Sequence, residues 1–196
     1  MAPTLALSLD PKADALLSKD PLALLIGMVL DQQVPLEKAF RGPYDLKDRL
    51  GVAKLDAAAL ATWDTDELIT AFVTRPALHR YPAAMAQRVQ ALCQVVADEY
   101  GGRAERIWRK AADGADLLAR LHALPGFGEQ KARIFLALLG KQLGVDIPGW
   151  REAAGPYGEE GSRRSVADIT GPESLAEVRA YKRQMKAAAK AAAAKP

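Results

Sequence analysis

The stretch "LHALPGFGEQKARIFLALLG", residues 121–140, sets a Pro-Gly-x-Gly turn between two segments with helical spacing. "GADLLARLHAL" leads into the turn and "EQKARIFLALLG" leaves it. Pro125 fixes one backbone angle. Gly126 and Gly128 reach conformations closed to other residues and, lacking a Cβ, let another backbone come close. The N–H groups at the turn and at the start of the helix after Gly128 have no intrahelical partner and point outward. Such an array suits a phosphate oxygen. Phe127 reads as an apolar plug under the turn. On spacing alone, a plain helix–helix corner is an equally good reading.

Working outward, helical spacing dominates. "DPKADALLSK" reads as a short helix with Pro11 in its first turn, and "DPLALLIGMVLDQQ" as a helix capped by Asp20 with Pro21 at its first position. The second is apolar on most faces up to Leu30, which predicts a buried, central helix. "PLEKAFRGPYDLKDRLG" reads as a helix broken at Gly42-Pro43 and resumed to Gly51. "DAAALATW" and "DTDELITAFV" each open on an aspartate. "RYPAAMAQRVQALCQVVADEYGG" is the longest clean helix, with Met85, Val89, Leu92, Val96 and Tyr100 at steps of three or four. The alternation of Leu5, Leu7 and Leu9 suits a short strand or an extended arm. A final helix, "PESLAEVRAYKRQMKAAAKAAAAK", ends in Ala and Lys, which extend helices but offer little to dock. That basic end reads as a loose DNA-holding arm or as a solubilising tail. The expectation is an all-α protein of about eight or more short helices. Residues 1–175 form one domain and residues 176–196 a terminal helix with a basic tail.

Composition narrows the function classes. The chain has 196 residues, 49% hydrophobic and 26% charged, with a formal net charge of +3. This permits a nucleic-acid partner without demanding one. One cysteine, Cys93, excludes a disulfide framework or a multi-cysteine metal or iron–sulfur site within the chain. His79 and His122 are the only histidines, too few for a histidine-rich metal centre. No apolar run reaches membrane-span length, and the N-terminus lacks the basic start of a secretory signal. A cytoplasmic location is the resulting expectation.

"LPGFGEQKA" resembles the hairpin of the helix-hairpin-helix (HhH-GPD) superfamily of base-excision DNA glycosylases. The helices before it, "RYPAAMAQRVQALCQVVADEYGG" and "LLARLHALPGFG", are similar to that superfamily's in order and spacing. "LLIGMVLDQQV" resembles its early helix with a Gln-containing turn, and "LGVDIPGW" lies where the family carries its aspartate. The resemblance covers Pro21 to Tyr157. It implies two helical lobes with a cleft between them, and an enzyme that flips a damaged or mismatched base and hydrolyses its bond to deoxyribose. The partner would be lesion-bearing double-stranded DNA and the protein a monomer without an iron–sulfur cluster. A DNA-binding module that recognises distortion without chemistry is the alternative.

The resemblance also assigns residues. Asp146 would be the catalytic carboxylate, stabilising an oxocarbenium-like sugar or helping water attack it. As the cap of a helix starting at Ile147-Pro148 it would stay ionised. Lyase members carry a lysine two residues after the last hairpin glycine. Here that position is Gln130 and the lysine is Lys131. Lys131 is thus a phosphate contact, a nucleophile in altered geometry, or an ordinary helix-end lysine, and a monofunctional enzyme is favoured. Where many members read "VDxHVxR", this chain has "VDIPGWR", with Gly149 replacing the histidine. Gln32 or Gln33 would fill the gap left by a flipped base. Gly126, Phe127, Gly128, Gln130 and Lys131 would contact DNA. The main-chain carbonyls of His122, Leu124 and Phe127 would hold a monovalent cation bridging to a phosphate. Cys93, Trp63, Trp108 and Trp150 read as packing residues, His79 and Tyr81 as helix-start residues, and Arg163 and Arg164 as surface arginines.

Overall fold

Aspartate and proline punctuate the chain into helices. A computed structural model describes residues 4–193. In order these form α1 (Pro11–Lys19), α2 (Pro21–Leu30), α3 (Leu36–Arg49), α4 (Ala57–Ala61), α5 (Thr65–Val73) and α6 (Pro82–Tyr100). They continue with α7 (Arg106–Arg109), α8 (Gly114–His122), α9 (Glu129–Gln142), α10 (Trp150–Ala154) and α11 (Pro172–Ala193), with single 3-10 turns at Gly155–Tyr157 and Val166–Asp168. No strand occurs among the described residues, as an all-α protein requires. Asp10, Asp20, Asp56, Asp64 and Asp113 cap α1, α2, α4, α5 and α8, each carboxylate accepting first-turn amides. Each such cap contributes about 1 kcal/mol.

Every residue of α2 from Leu22 to Leu30 is buried. Around it pack α1, α3 and α6; α4 and α5 lean on the far length of α6. On α6, Met85, Val89, Leu92, Val96 and Tyr100 are all buried, so the helical period in the sequence marks the packed face. The hairpin helices α8 and α9 pack on each other and on α10, and the 3-10 turn 166–168 covers α9. One continuous apolar core joins these groups.

Two local expectations are corrected and one left open is decided. The helix expected to break at Gly42-Pro43 is continuous, because Phe40, Gly42, Pro43 and Leu46 are its buried face. Packing on α2 outweighs the interior proline, which costs about 3 kcal/mol. A Cβ on Gly42 would lie 2.5 Å from Leu30 Cδ1, so glycine serves close approach there, not a turn. The Leu5–Leu9 segment is an arm and not a strand. Its amides are satisfied by side chains of α1: Leu5 N–H donates to Ser18 Oγ (2.9 Å), and Leu7 and Ser8 donate to Asp14 Oδ1 (3.0 and 2.8 Å). No helix starts at Ile147-Pro148; α10 begins at Trp150 behind Gly149, which has φ 73°.

Beyond α10, the chain is tied to the end of α9. Lys141 Nζ pairs with Asp168 Oδ1 at 2.6 Å, and both side chains are largely buried. The other Asp168 oxygen accepts from the Arg164 and Ser165 amides and from Ser162 Oγ. Gln142 Nε2 donates to the carbonyls of Val166, Ala167 and Ile169. α11 docks through buried Leu175 and Val178 and an Arg179–Glu37 ion pair to α3. The Ala/Lys-rich segment continues α11, exposed from Lys182 to residue 192, while residues 194–196 lie outside the described residues.

Gly114 fixes where the α9–α10 connection sits. Its N–H donates to Pro148 O at 2.8 Å, and an added Cβ would lie 2.4 Å from Gly149 O. Gly114→Ala therefore forces backbone to move, with an expected loss of about 1–3 kcal/mol in urea denaturation.

Candidate functional site

The hairpin turn closes on two backbone bonds, Leu124 N–H to Leu121 O (3.1 Å) and Phe127 N–H to Leu124 O (3.0 Å). Gly126 has φ +85°, and a Cβ there would lie 2.9 Å from Arg88 Cδ and 3.3 Å from Val29 Cγ1. Both the left-handed conformation and the close approach require glycine. Gly128 differs from expectation. Its φ of −72° and ψ of 170° suit any residue, and open space surrounds its Cβ position. What it supplies is a cap without a side chain. The first bond of α9 runs from Ala132 N–H to Gly128 O, and the amides of Glu129, Gln130 and Lys131 have no acceptor among the described residues. The Phe127 ring is buried edge-on against Phe135, 5.6 Å between centroids, so only its backbone faces a ligand. Of the three carbonyls expected to hold a cation, that of Leu124 accepts the Phe127 amide, while those of His122 and Phe127 accept no hydrogen bond among the described residues.

Lys131 does not point to bulk solvent. α2 ends with Asp31 N–H bonding back to Gly27 and Met28 and Gln32 N–H bonding to Leu30. The Val29 carbonyl is left over, and Lys131 Nζ donates to it at 3.1 Å. Satisfying a helix-end carbonyl with an ammonium is common chemistry. Burial lowers the Lys131 pKa to about 8; Asp31 opposes that shift and Arg88 adds to it. The Asp31 carboxyl, at the buried C-terminal end of α2, is raised by burial, with Lys182 and then Lys131 acting against the rise. A half-buried amine and a desolvated carboxyl therefore sit at the start of α9.

The Gln32–Gln33 turn is held from the segment that enters α6 and from its first turn. His79, buried and with its pKa lowered chiefly by burial, meets the Gln32 carbonyl through Nε2 (2.8 Å). Its Nδ1 accepts the Tyr81 amide at 3.0 Å, which makes Nε2 the protonated nitrogen. Gln32 Nε2 lies 3.3 Å from Met85 Sδ, so that side chain is tucked inward. Gln33 is exposed and has φ +55°, a conformation costly for a residue with a side chain. It forms the tip of the turn, with Oε1 3.4 Å from the Tyr81 hydroxyl.

Asp146 is not brought to this place. It is exposed and makes no hydrogen bond or ion pair among the described residues. Its connection is held by Val145 N–H to Leu139 O and by Gly114 N–H to Pro148 O. Gly114 begins α8, and α8 runs from there to the hairpin. Asp146 thus lies at the opposite end of the helix pair from the turn, and α9 alone is about 21 Å long. It caps no helix. The four-residue link from Gln142 to Asp146 is too short to return to the start of α9. Trp150 is packed, its ring where a Cβ on Gly140 would fall (2.6 Å). Arg163 and Arg164 pair with Glu177 and Glu159. Buried Cys93 has its thiol pushed up to about 12 by burial.

Asp31 was missed in the sequence. Its signal was an acid closing a helix with no polar face, which must be desolvated. Among the described residues no helix is long and apolar enough to cross a membrane, and no side-chain group of His, Cys, Asp and Glu clusters for a metal. No family model matches the chain, and neither a curated protein nor a solved structure matches it.

The lowered Lys131 pKa has a measurable consequence. The folded chain releases this proton near pH 8, the unfolded chain near the ordinary 10.5. The unfolded state therefore binds more protons between those values, and this group's contribution to stability rises with pH across that window. One lysine titrating near pH 8, and absent in Lys131→Gln, is expected in NMR of reductively methylated protein.

Proposed function

We propose that this protein is a base-excision DNA glycosylase with two helical lobes, residues 121–140 gripping the sugar–phosphate backbone from the cleft between them. The observation that carries the reading is a coincidence at one helix end. The uncapped amides of α9, which suit a phosphate, stand beside the amine of Lys131 and the carboxyl of Asp31. Gln33, exposed at a strained tip, fills the duplex gap when a base leaves it. The carbonyls of His122, Leu124 and Phe127 would hold a monovalent cation, which would supply positive charge to a phosphate.

The chemistry follows from the pair. Above about pH 8 Lys131 is neutral, and its amine attacks the sugar C1′. The C1′–N bond breaks and the base leaves with its electron pair, taking a proton from solvent; the C1′–ammonium adduct loses a proton to Asp31 and opens to an iminium as the ring oxygen takes that proton. This shifts the expected mechanism from hydrolysis at Asp146 to amine attack at Lys131. If Asp146 were the only carboxylate available, its distance from the hairpin would favour the alternative of a DNA-binding module without chemistry.

A panel of duplexes, each with one lesion, scored for abasic sites and for borohydride trapping tests this. Base release is expected from wild type and from Asp146→Asn, and a large loss from Asp31→Asn. No release from any lesion, with salt-sensitive duplex binding retained, would assign the binding-module role instead.

A further inference from the structure

We propose that the cavity between the hairpin and α11 receives the extruded nucleobase and selects a neutral, imide-type base, one carrying ring N–H flanked by carbonyl. The proposal rests on the DNA reading above and names its substrate class. The cavity has a volume of about 360 Å³, within the range of small-molecule sites. Tyr157, Tyr181 and Met185 give it apolar faces; Gln130, Arg164 and Lys182 give it polar ones. Tyr181 and Met185 are one turn apart on α11 and share a side of that helix. One chain link sets the cavity at the start of α9: Gln130, which lines it, directly precedes Lys131.

The polar groups specify the ligand. Gln130 Nε2 donates to the Tyr157 hydroxyl oxygen at 2.9 Å, which leaves the Tyr157 proton and the Gln130 Oε1 for a ligand. Arg164 lies 5.8 Å from the Tyr181 ring and is held by Glu159 at 3.1 Å, which fixes one edge of that aromatic face. The lining contains two cations and no carboxylate. Carbonyl oxygens suit the Arg164, Lys182 and tyrosine donors, and a ring N–H suits Gln130 Oε1. A positively charged alkylpurine meets like charge instead.

The test measures binding apart from bond cleavage. Duplexes carry one 2′-fluoroarabino nucleotide, which resists base release, bearing uracil, hypoxanthine or 7-methylguanine, with an undamaged duplex as reference. Wild type is expected to bind the uracil or hypoxanthine duplex about tenfold more tightly than the reference, the size of one lost stacking contact. Tyr181→Ala should erase that preference while leaving the reference affinity within about twofold, which also shows that the variant is folded. Lys182→Glu should move the preference toward 7-methylguanine. Tightest wild-type binding to 7-methylguanine, equal binding to all duplexes, or a preference untouched by Tyr181→Ala overturns the pocket. Base release from natural-sugar duplexes judges the enzyme separately. Release that Tyr181→Ala leaves unchanged keeps the glycosylase and removes the pocket; the Tyr181-dependent preference without release keeps the pocket and removes the chemistry.

Discussion

Lys131→Gln, which removes the proposed nucleophile, is expected to abolish borohydride trapping and to lower base release by at least about a hundredfold. Glutamine keeps much of the stem and a donor toward the Val29 carbonyl, 3.1 Å from the native amine, so α2 and α9 should stay docked. Duplex affinity should change far less, because the α9 amides are backbone groups that the substitution leaves in place. The pH profile adds an independent readout. With the amine near pKa 8, the wild-type rate should climb toward pH 8 and level above it as the neutral amine fills. Trapping that persists in Lys131→Gln would move the nucleophile elsewhere; release without trapping in wild type would return the mechanism to water attack, with Asp31 as the base.

Asp168→Ala should cost about 3–5 kcal/mol in urea denaturation, the range for stripping one partner from a buried ion pair. The loss leaves Lys141 unpaired in a site where only 14% of its side chain is exposed. It also orphans the Arg164 and Ser165 amides and Ser162 Oγ. Lys141→Met should cost less, because Asp168 keeps those three donors while the methionine stem still packs. Equal losses in the two variants would show that the ion pair, and not the carboxylate's capping of the 164–168 turn, holds this segment. The site at the far end of α9 should survive both changes wherever the protein remains folded.

Local rules were legible where one residue type settles one local need. Aspartates before apolar runs announced three helix starts, at Asp20, Asp56 and Asp64, and those helices begin where the carboxylates meet first-turn amides; Asp10 and Asp113 do the same unannounced. The period of α6 named its buried residues, and the unbroken apolarity of α2 announced burial on all sides. Gly42-Pro43 misled because the same dipeptide marks a turn in water and a close contact in a core. The difference is Leu30, 12 residues earlier in the chain, against which Gly42 lies. Leu5–Leu9 stayed open between strand and arm because alternation records which side chains are buried, not what satisfies the amides between them; the side chains of α1 decide for the arm.

For the candidate site, the sequence by itself determined the hairpin: Pro125 and Gly126 shape a turn from local backbone sterics, and Gly128, a cap without a side chain, leaves donors at a bare helix start. Tertiary structure alone decided which side chains stand beside it. Whether an amine is a soft nucleophile or a solvated surface charge depends on how much water it has lost and what faces it. Those are set by residues about a hundred positions apart, Val29 and Asp31 against Lys131. The same folding carried Asp146 to the other end of α8 and α9, because a short link pinned by Gly114 allowed no return.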